Sequence, residues 1–426
     1  MPEDNGVPHH SFDSAQPTSP FVGRADVIAR IHQHLTSAAV SCAFTVVGRR
    51  RAGQTALLEH IRRRFDDTFV WAFPDMAAAT DERRWLAALY QAGKDAASAR
   101  GLSVHRLPRW PDEKSAAEQR VWLTETGLPE LFELIRPHRR LVWVVDGVEP
   151  LAEAVARGEH PADLGAWMSG MIGPQLGMVF AAHLDQEGAL VRLAPLVQPD
   201  YTARLLALTL QETGDLLNMG RDGADPELVA ALYALTGGLP EWTLKAALAV
   251  HAQSHGEAYR VDHLRAVRPA LAAEAAPYFK QVWENLNADE QAVVAALAYQ
   301  HFERPDAPLR GEDVEAWLAD SDYPLDLTAV YAVLRRLDFV EVVDNTPNQV
   351  RVRAGLFESW VRERVKPEQL RKSGGSAGTR PPDPATVRGL AILLLILLAA
   401  LIIAAAINQQ PSAGPSDVVP TVTLGQ

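Results

Sequence analysis

Along the first half of the chain, short runs of apolar and β-branched residues alternate with longer stretches whose apolar positions recur every three or four residues. The runs at 43–47, 68–73, 140–146, 178–183 and 202–206 predict buried strands, since a strand covered on both faces shows no polar side. Between them, DERRWLAALYQAG and EQRVWLTETGLPELFELI carry the 3.6-residue period of amphipathic helices. Strands alternating in this way with helices predict an α/β fold for residues 20–208, a parallel sheet with helices on both faces. From 209 to 284 the apolar spacing is helical. Residues 285–365 predict three helices, two short strands (FVEVV and QVRVR, joined by the turn-forming DNTPN) and a closing helix.

The two ends of the chain follow other patterns. Residues 1–19, rich in Pro, Ser and His, predict a disordered lead-in and lack the basic start and apolar centre of a secretory signal. The Gly-, Ser- and Pro-rich stretch 366–388 predicts a flexible linker. Then comes GLAILLLILLAALIIAAAI at 389–407, nineteen residues with neither a charge nor a polar face. At about 1.5 Å per residue this nearly matches a hydrocarbon layer of about 30 Å and predicts one transmembrane helix. Arg371, Lys372, Arg380 and Arg388 precede it, and no Lys or Arg follows it. That bias predicts a single-pass protein of the cell (inner) membrane, with the N-terminal body cytoplasmic and the tail 408–426 outside.

Composition narrows the chemistry. A net charge of −12 gives no electrostatic ground for nucleic acid as the main partner. Cys42 is the only cysteine, which excludes a disulfide framework; within SCAFTVV it reads as a small core residue. Between 285 and 365, fifteen Asp or Glu face eight Lys or Arg. DNA affinity depends on cations that neutralise phosphates, so this acidic unit is expected to serve some other purpose.

One stretch carries candidate chemistry. VVGRRRAGQTALL has the frame Gly48-x-x-x-x-Gly53-x-Thr55 between a strand and an amphipathic helix, the context in which such a loop binds phosphate. Glycines let the backbone wrap close to phosphate oxygens, and the helix start offers free N–H donors and a positive dipole end. The candidate contacts are Gly48, Arg49, Arg50, Arg51, Ala52, Gly53, Gln54 and Thr55, with Thr55 placed to hold magnesium. Gln54 stands where such loops carry a lysine, so an amide replaces a full positive charge near the β and γ phosphates. Arg49, Arg50 and Arg51 are cations close by, yet an arginine elsewhere in the loop cannot copy a lysine's point charge.

About ninety residues later, RLVWVVDG ends a strand in Asp146. In a parallel sheet this acid shares an edge with the loop, which makes it the second metal candidate. Gly147 follows where most hydrolysing proteins with such a loop have an acid. Glu149 is then either a substitute base or a solvated residue at a helix start.

PFVGRADVIARIHQHL ahead of the loop, TGGLPEWTLKAAL at 236–248 and GLFESWVRERV at 355–365 stand in an order that resembles the STAND and related AAA+-like P-loop ATPases of prokaryotes. The resemblance implies a P-loop NTPase core at 20–208, a helical lid at 209–284 and a winged-helix domain at 285–365. It implies ATP or ADP with Mg2+ as ligand, with Phe21, Val22, Gly23 and Arg24 along the adenine and Pro240 closing the pocket. In the family, the strand corresponding to GMVFAAHLD often ends in a polar residue that reaches the γ-phosphate; Ala181 and Ala182 stand there, leaving His183, which reads first as a partly exposed strand-end histidine.

These departures fall on catalysis and spare the binding frame. The expectation is therefore a membrane-anchored, ATP-binding switch or scaffold with weak or absent hydrolysis, acting on an unidentified protein partner, with a homo-oligomer left open. Two alternatives stand beside it: an active ATPase that uses Glu149 and a loop arginine, and a membrane-tethered winged-helix transcription regulator.

The apolar segment generates the first test. The full-length chain should sediment with membranes and resist a high-salt wash, and a variant ending at residue 388 should move to the supernatant. Full-length protein found in the supernatant would overturn the span.

Overall fold

Five strands, β1 (Phe44–Gly48), β2 (Phe69–Ala72), β3 (Arg140–Asp146), β4 (Leu176–His183) and β5 (Thr202–Leu205), form one sheet in the order β2-β3-β4-β1-β5. Every pairing in it is parallel. The computed structural model describes residues 21–370, apart from 38–39, 50, 137–138, 221–222, 305–308, 338–339, 343–348, 353 and 369. Each of the five predicted runs is a strand, β3 with the expected bounds and the others with ends shifted by a residue or two. The apolar segment 389–407 lies outside the described residues, as do the lead-in and the tail. Among the described residues no helix is long and apolar enough to cross a membrane.

The two-residue period of the strands divides the core. Phe44, Val46, Val142, Val144 and Val179 pack with Ile31 of α1 (Ala25–Thr36) and with Leu57 and Ile61 of α2 (Gln54–Arg64) on one face. Their neighbours Ala43, Val47, Trp143, Val145 and Phe180 pack with Trp85 and Leu89 on the other. Both faces are covered, so the strands need no polar side, which is why they read as unbroken apolar runs.

A third core lies outside the sheet. The helices Leu210–Gly220, Pro226–Thr236, Pro240–Ser254 and Val261–Asn285 share one apolar cluster with the unit that follows, from Leu208 to Leu370. That unit has helices Ala288–Glu303, Gly311–Asp320 and Leu327–Arg336, strands β7 (Val340–Val342) and β8 (Gln349–Val352) and the closing helix Gly355–Arg364. Preceding these strands in the chain, β6 (Leu309–Arg310) adds a strand absent from the sequence-based expectation, and pairs antiparallel with β8. Two residues show no periodicity, so only their pairing reveals them. The closing helix packs back on the helical segment: Phe279 meets Phe357 at a ring separation of 5.2 Å, and a Cβ on Gly355 would lie 2.9 Å from the Ala234 carbonyl.

Helix α1 brings a histidine inside. His34 is buried, and its Nε2 donates to the Cys42 carbonyl at 2.9 Å while Nδ1 has no partner. Burial pulls its pKa below the ordinary 6.5, and the nearby Arg140 charge pulls the same way. His34 is thus held neutral in the fold, whereas the unfolded chain takes up a proton as the pH falls through that value. Stability should decline from pH 7.5 to 5.5, by at most about 1.4 kcal/mol per pH unit from this group. His34→Gln keeps the donor and should flatten that decline; urea melts of both proteins at the two pH values check it.

Candidate functional site

Register brings the chemistry to one edge. Gly48 pairs with His183 and Asp146 with Ala181, so the ends of β1, β3 and β4 open on the same side of the sheet. A cavity of about 370 Å3 lies there, roofed by helices Leu210–Gly220 and Pro240–Ser254 of the following segment. Of the residues predicted from sequence, Phe21, Val22, Arg24, Arg51, Ala52, Gly53, Gln54, Thr55, Asp146, Glu149 and Pro240 line it. Gly23, Gly48 and Arg49 do not, and Arg50 is outside the described residues.

The loop after β1 turns into α2 at Gly53, whose φ of 94° lies in the left-handed region that side chains resist. Gln54 is buried, and its Nε2 donates to the Gly48 carbonyl at 2.7 Å. The amide therefore ties the two ends of the loop together. On the next residue, Thr55 Oγ1 donates to Asp146 Oδ2 at 2.7 Å. The hydroxyl and the carboxylate both face the cavity, an all-oxygen pair of the kind a hard divalent cation takes. The residues present thus fit magnesium.

Glu149 answers one open question. Only 7% of it is exposed, so it is not a solvated helix-start residue. Its Oε1 accepts from the His183 backbone N–H, which ties the start of helix Glu149–Arg157 to the end of β4. The His183 ring lines the cavity, and its Nδ1 has no partner.

The FVGR segment is held from the helical side. Glu212 Oε1 accepts from the Arg24 backbone N–H at 3.3 Å, and its Oε2 accepts from the Thr209 N–H at 2.7 Å. Thr209 Oγ1 accepts in turn from the Glu212 N–H at 3.1 Å, closing a capping box at the start of Leu210–Gly220. The Arg24 guanidinium donates to the Leu206 carbonyl. Phe21 stacks on His60 of α2, ring centres 4.2 Å apart. It thus serves as a packing residue as well as a cavity wall.

The roof is fixed by a double-glycine turn. The Leu208 N–H donates to the Gly238 carbonyl at 2.7 Å, and a Cβ on Gly238 would lie 2.2 Å from the Leu208 carbonyl oxygen. Pro240 then starts its helix directly over the loop, its Cβ 3.9 Å from where a Cβ on Gly53 would stand. Three contributions escape a sequence reading: Glu212, which holds the Arg24 backbone, and in the cavity wall Glu241 and the apolar residues Leu208, Leu216 and Leu244. Thr209-x-x-Glu212 was a visible capping signal; nothing along the chain marked the others.

No protein-family model matches the chain, and no curated protein matches it. Among solved structures it is similar to a Walker-type ATPase of Pyrococcus abyssi, 12% identical, covering 82% of this chain and 99% of that one at a TM-score of 0.53. The ORC2 protein of Aeropyrum pernix, solved as ADPNP–ADP complexes, is 14% identical over 82% of this chain and 91% of its own, at a TM-score of 0.47. A STAND protein with a tetratricopeptide repeat sensor from Pyrococcus horikoshii is 17% identical over 81% of this chain and 43% of its own, at 0.33. At such identities likeness speaks to fold alone, and of these three only the first alignment is close enough to carry that. The parallel sheet flanked by helices and the first alignment together give the fold of a P-loop NTPase core.

The turn that fixes the roof is open to test. Gly238→Ala imposes both a left-handed φ of 66° and the clash with Leu208, whereas Gly101→Ala imposes a φ of 73° in open space. The Gly101 variant should lose about 1–2 kcal/mol and the Gly238 variant clearly more, as read from urea melts.

Proposed function

We propose that this chain binds ADP or ATP with magnesium in the edge cavity and acts as a membrane-held, nucleotide-dependent switch or scaffold of STAND type, with weak or absent hydrolysis. The observation that supports it most is the Thr55–Asp146 hydrogen bond of 2.7 Å, which joins the loop and the strand end expected to share a metal. In this reading Thr55 and Asp146 hold the cation, the backbone of Arg51–Gly53 faces the phosphates, and Val22, Leu208, Leu216 and Leu244 cover the base. A bound magnesium nucleotide would supply the polyphosphate charge that the loop is shaped to meet.

The residues around the reacting end favour binding over turnover. Gln54 brings no charge, and its donor is engaged by the loop backbone. Glu149, the alternative base, is held by the His183 N–H, and Ala181 and Ala182 present only methyl groups. Transition-state charge on a transferring phosphoryl group therefore meets few fixed cations. The apolar segment 389–407 would place the body at the inner membrane surface, and the acidic unit 285–365 would face a protein partner or a second copy in preference to DNA.

Calorimetric titration of the full-length chain with ADP and ATP, with and without magnesium, tests this. Saturable binding that magnesium strengthens is expected, and Asp146→Ala should abolish the magnesium effect while leaving weaker binding. Gln54→Lys should bind about tenfold more tightly, the worth of one charge-assisted hydrogen bond. No heat and no thermal stabilisation at millimolar nucleotide would sink the proposal.

A further inference from the structure

Resting on the nucleotide reading above, we propose that Glu241 is a built-in competitor for the cation a polyphosphate needs. Nucleotide binding and release of helix Pro240–Ser254 from the loop are then one exchange reaction. Arg51 sits in the phosphate loop with a left-handed φ of 69°, and its side chain runs toward the roof. Its Nη1 lies 2.7 Å from Glu241 Oε1, and its guanidinium carbon lies 4.6 Å from the centre of the Tyr278 ring. Trp242 offers a second aromatic face at 5.8 Å.

Both members of the pair line the cavity. Two arginines line it among the described residues, and Arg24 donates to the Leu206 carbonyl. Arg51 is therefore the cation placed to meet a phosphate, and a carboxylate stands on it. The two side chains are 42% and 28% exposed, so the contact lies at a wet rim where an ion pair is weak. A ligand bearing several phosphate charges has the stronger attraction for the same guanidinium.

Glu241 is not stranded by the exchange. Lys245 Nζ lies 3.0 Å from the same Glu241 oxygen and 2.5 Å from Glu274 Oε1. When Arg51 turns to phosphate, the carboxylate keeps Lys245 as its partner, so no charge is left bare. The released side chain also withdraws from Tyr278, on the helix whose Phe279 packs against Phe357 of the closing helix. The exchange thus begins at the loop and ends at the joint between the helical segment and the unit at 285–365.

The test uses the full-length chain, with magnesium ADP and magnesium ATP as probes. Glu241→Gln removes the competing charge and should tighten binding about fivefold; Arg51→Ala should weaken it about tenfold. Amide hydrogen exchange gives a readout that needs no ligand: residues 240–254 should exchange faster in both variants than in the parent. Circular dichroism melts confirm that each variant is folded. Unchanged or weaker nucleotide affinity in Glu241→Gln, or unchanged exchange at 240–254, overturns the competition while leaving the nucleotide site standing. Absence of nucleotide binding in both the parent and Glu241→Gln removes the site itself, and the competition with it.

Discussion

Parallel pairing of β1 with β4 on one side and β5 on the other determines where every other group in this molecule can act. Parallel strands end on a common edge, and each must be followed by a connection that crosses back over a face. The loop after β1, the acid that ends β3 and the histidine that ends β4 therefore converge, although the chain separates them by some 90 and 40 residues. The hydrogen bond from Thr55 to Asp146 is possible only because of that convergence. A reversal of β3 or β4 would carry its end about 20 Å to the far edge.

The helical roof is attached to this edge at three points of different strength. The turn at Gly237–Gly238 is rigid, because its backbone is in direct contact with Leu208. The Glu212 contact to the FVGR segment is a capping box with one extra acceptor bond, local on one side and tertiary on the other. The Arg51–Glu241 pair is the weakest of the three, exposed at the rim. Roof and closing unit share a single apolar core, so a change in their tilt moves them together more easily than it separates them. A rigid hinge, a local clasp and an exchangeable ion pair are the parts that a ligand-driven change of roof tilt requires.

The balance of charge in the cavity explains why binding and turnover part company in the proposed reading. A phosphate-binding loop works through backbone N–H groups, a helix dipole and side-chain cations, and the first two survive here without any particular side chain. The third is altered. Position 54 carries an amide bound to its own loop, and the arginine that could compensate is partnered by Glu241. Stabilising a ground-state polyphosphate needs less from fixed cations than stabilising the charge that develops during transfer.

Much of this was legible in the sequence, for a physical reason. Apolar runs of the right length, turn residues and helical spacing are local properties, so all five strands of the main sheet and their order along the chain could be read directly. The loop frame and Asp146 were legible too, because glycine spacing and a strand-terminal acid are written in consecutive residues. The two-residue strand β6 was not, since it exists only through its partner Gln349–Val352. Nor was the fate of side chains that reach across the fold. That Gln54 turns inward to Gly48, that Glu149 is buried against His183 and that Arg51 faces Glu241 all depend on distances between segments far apart in the chain. The sequence determined which groups this protein possesses and on which elements they ride. Only tertiary packing decided which charges meet, because pairing energy depends on separation and solvent exposure, and neither exists until the sheet and its roof are assembled.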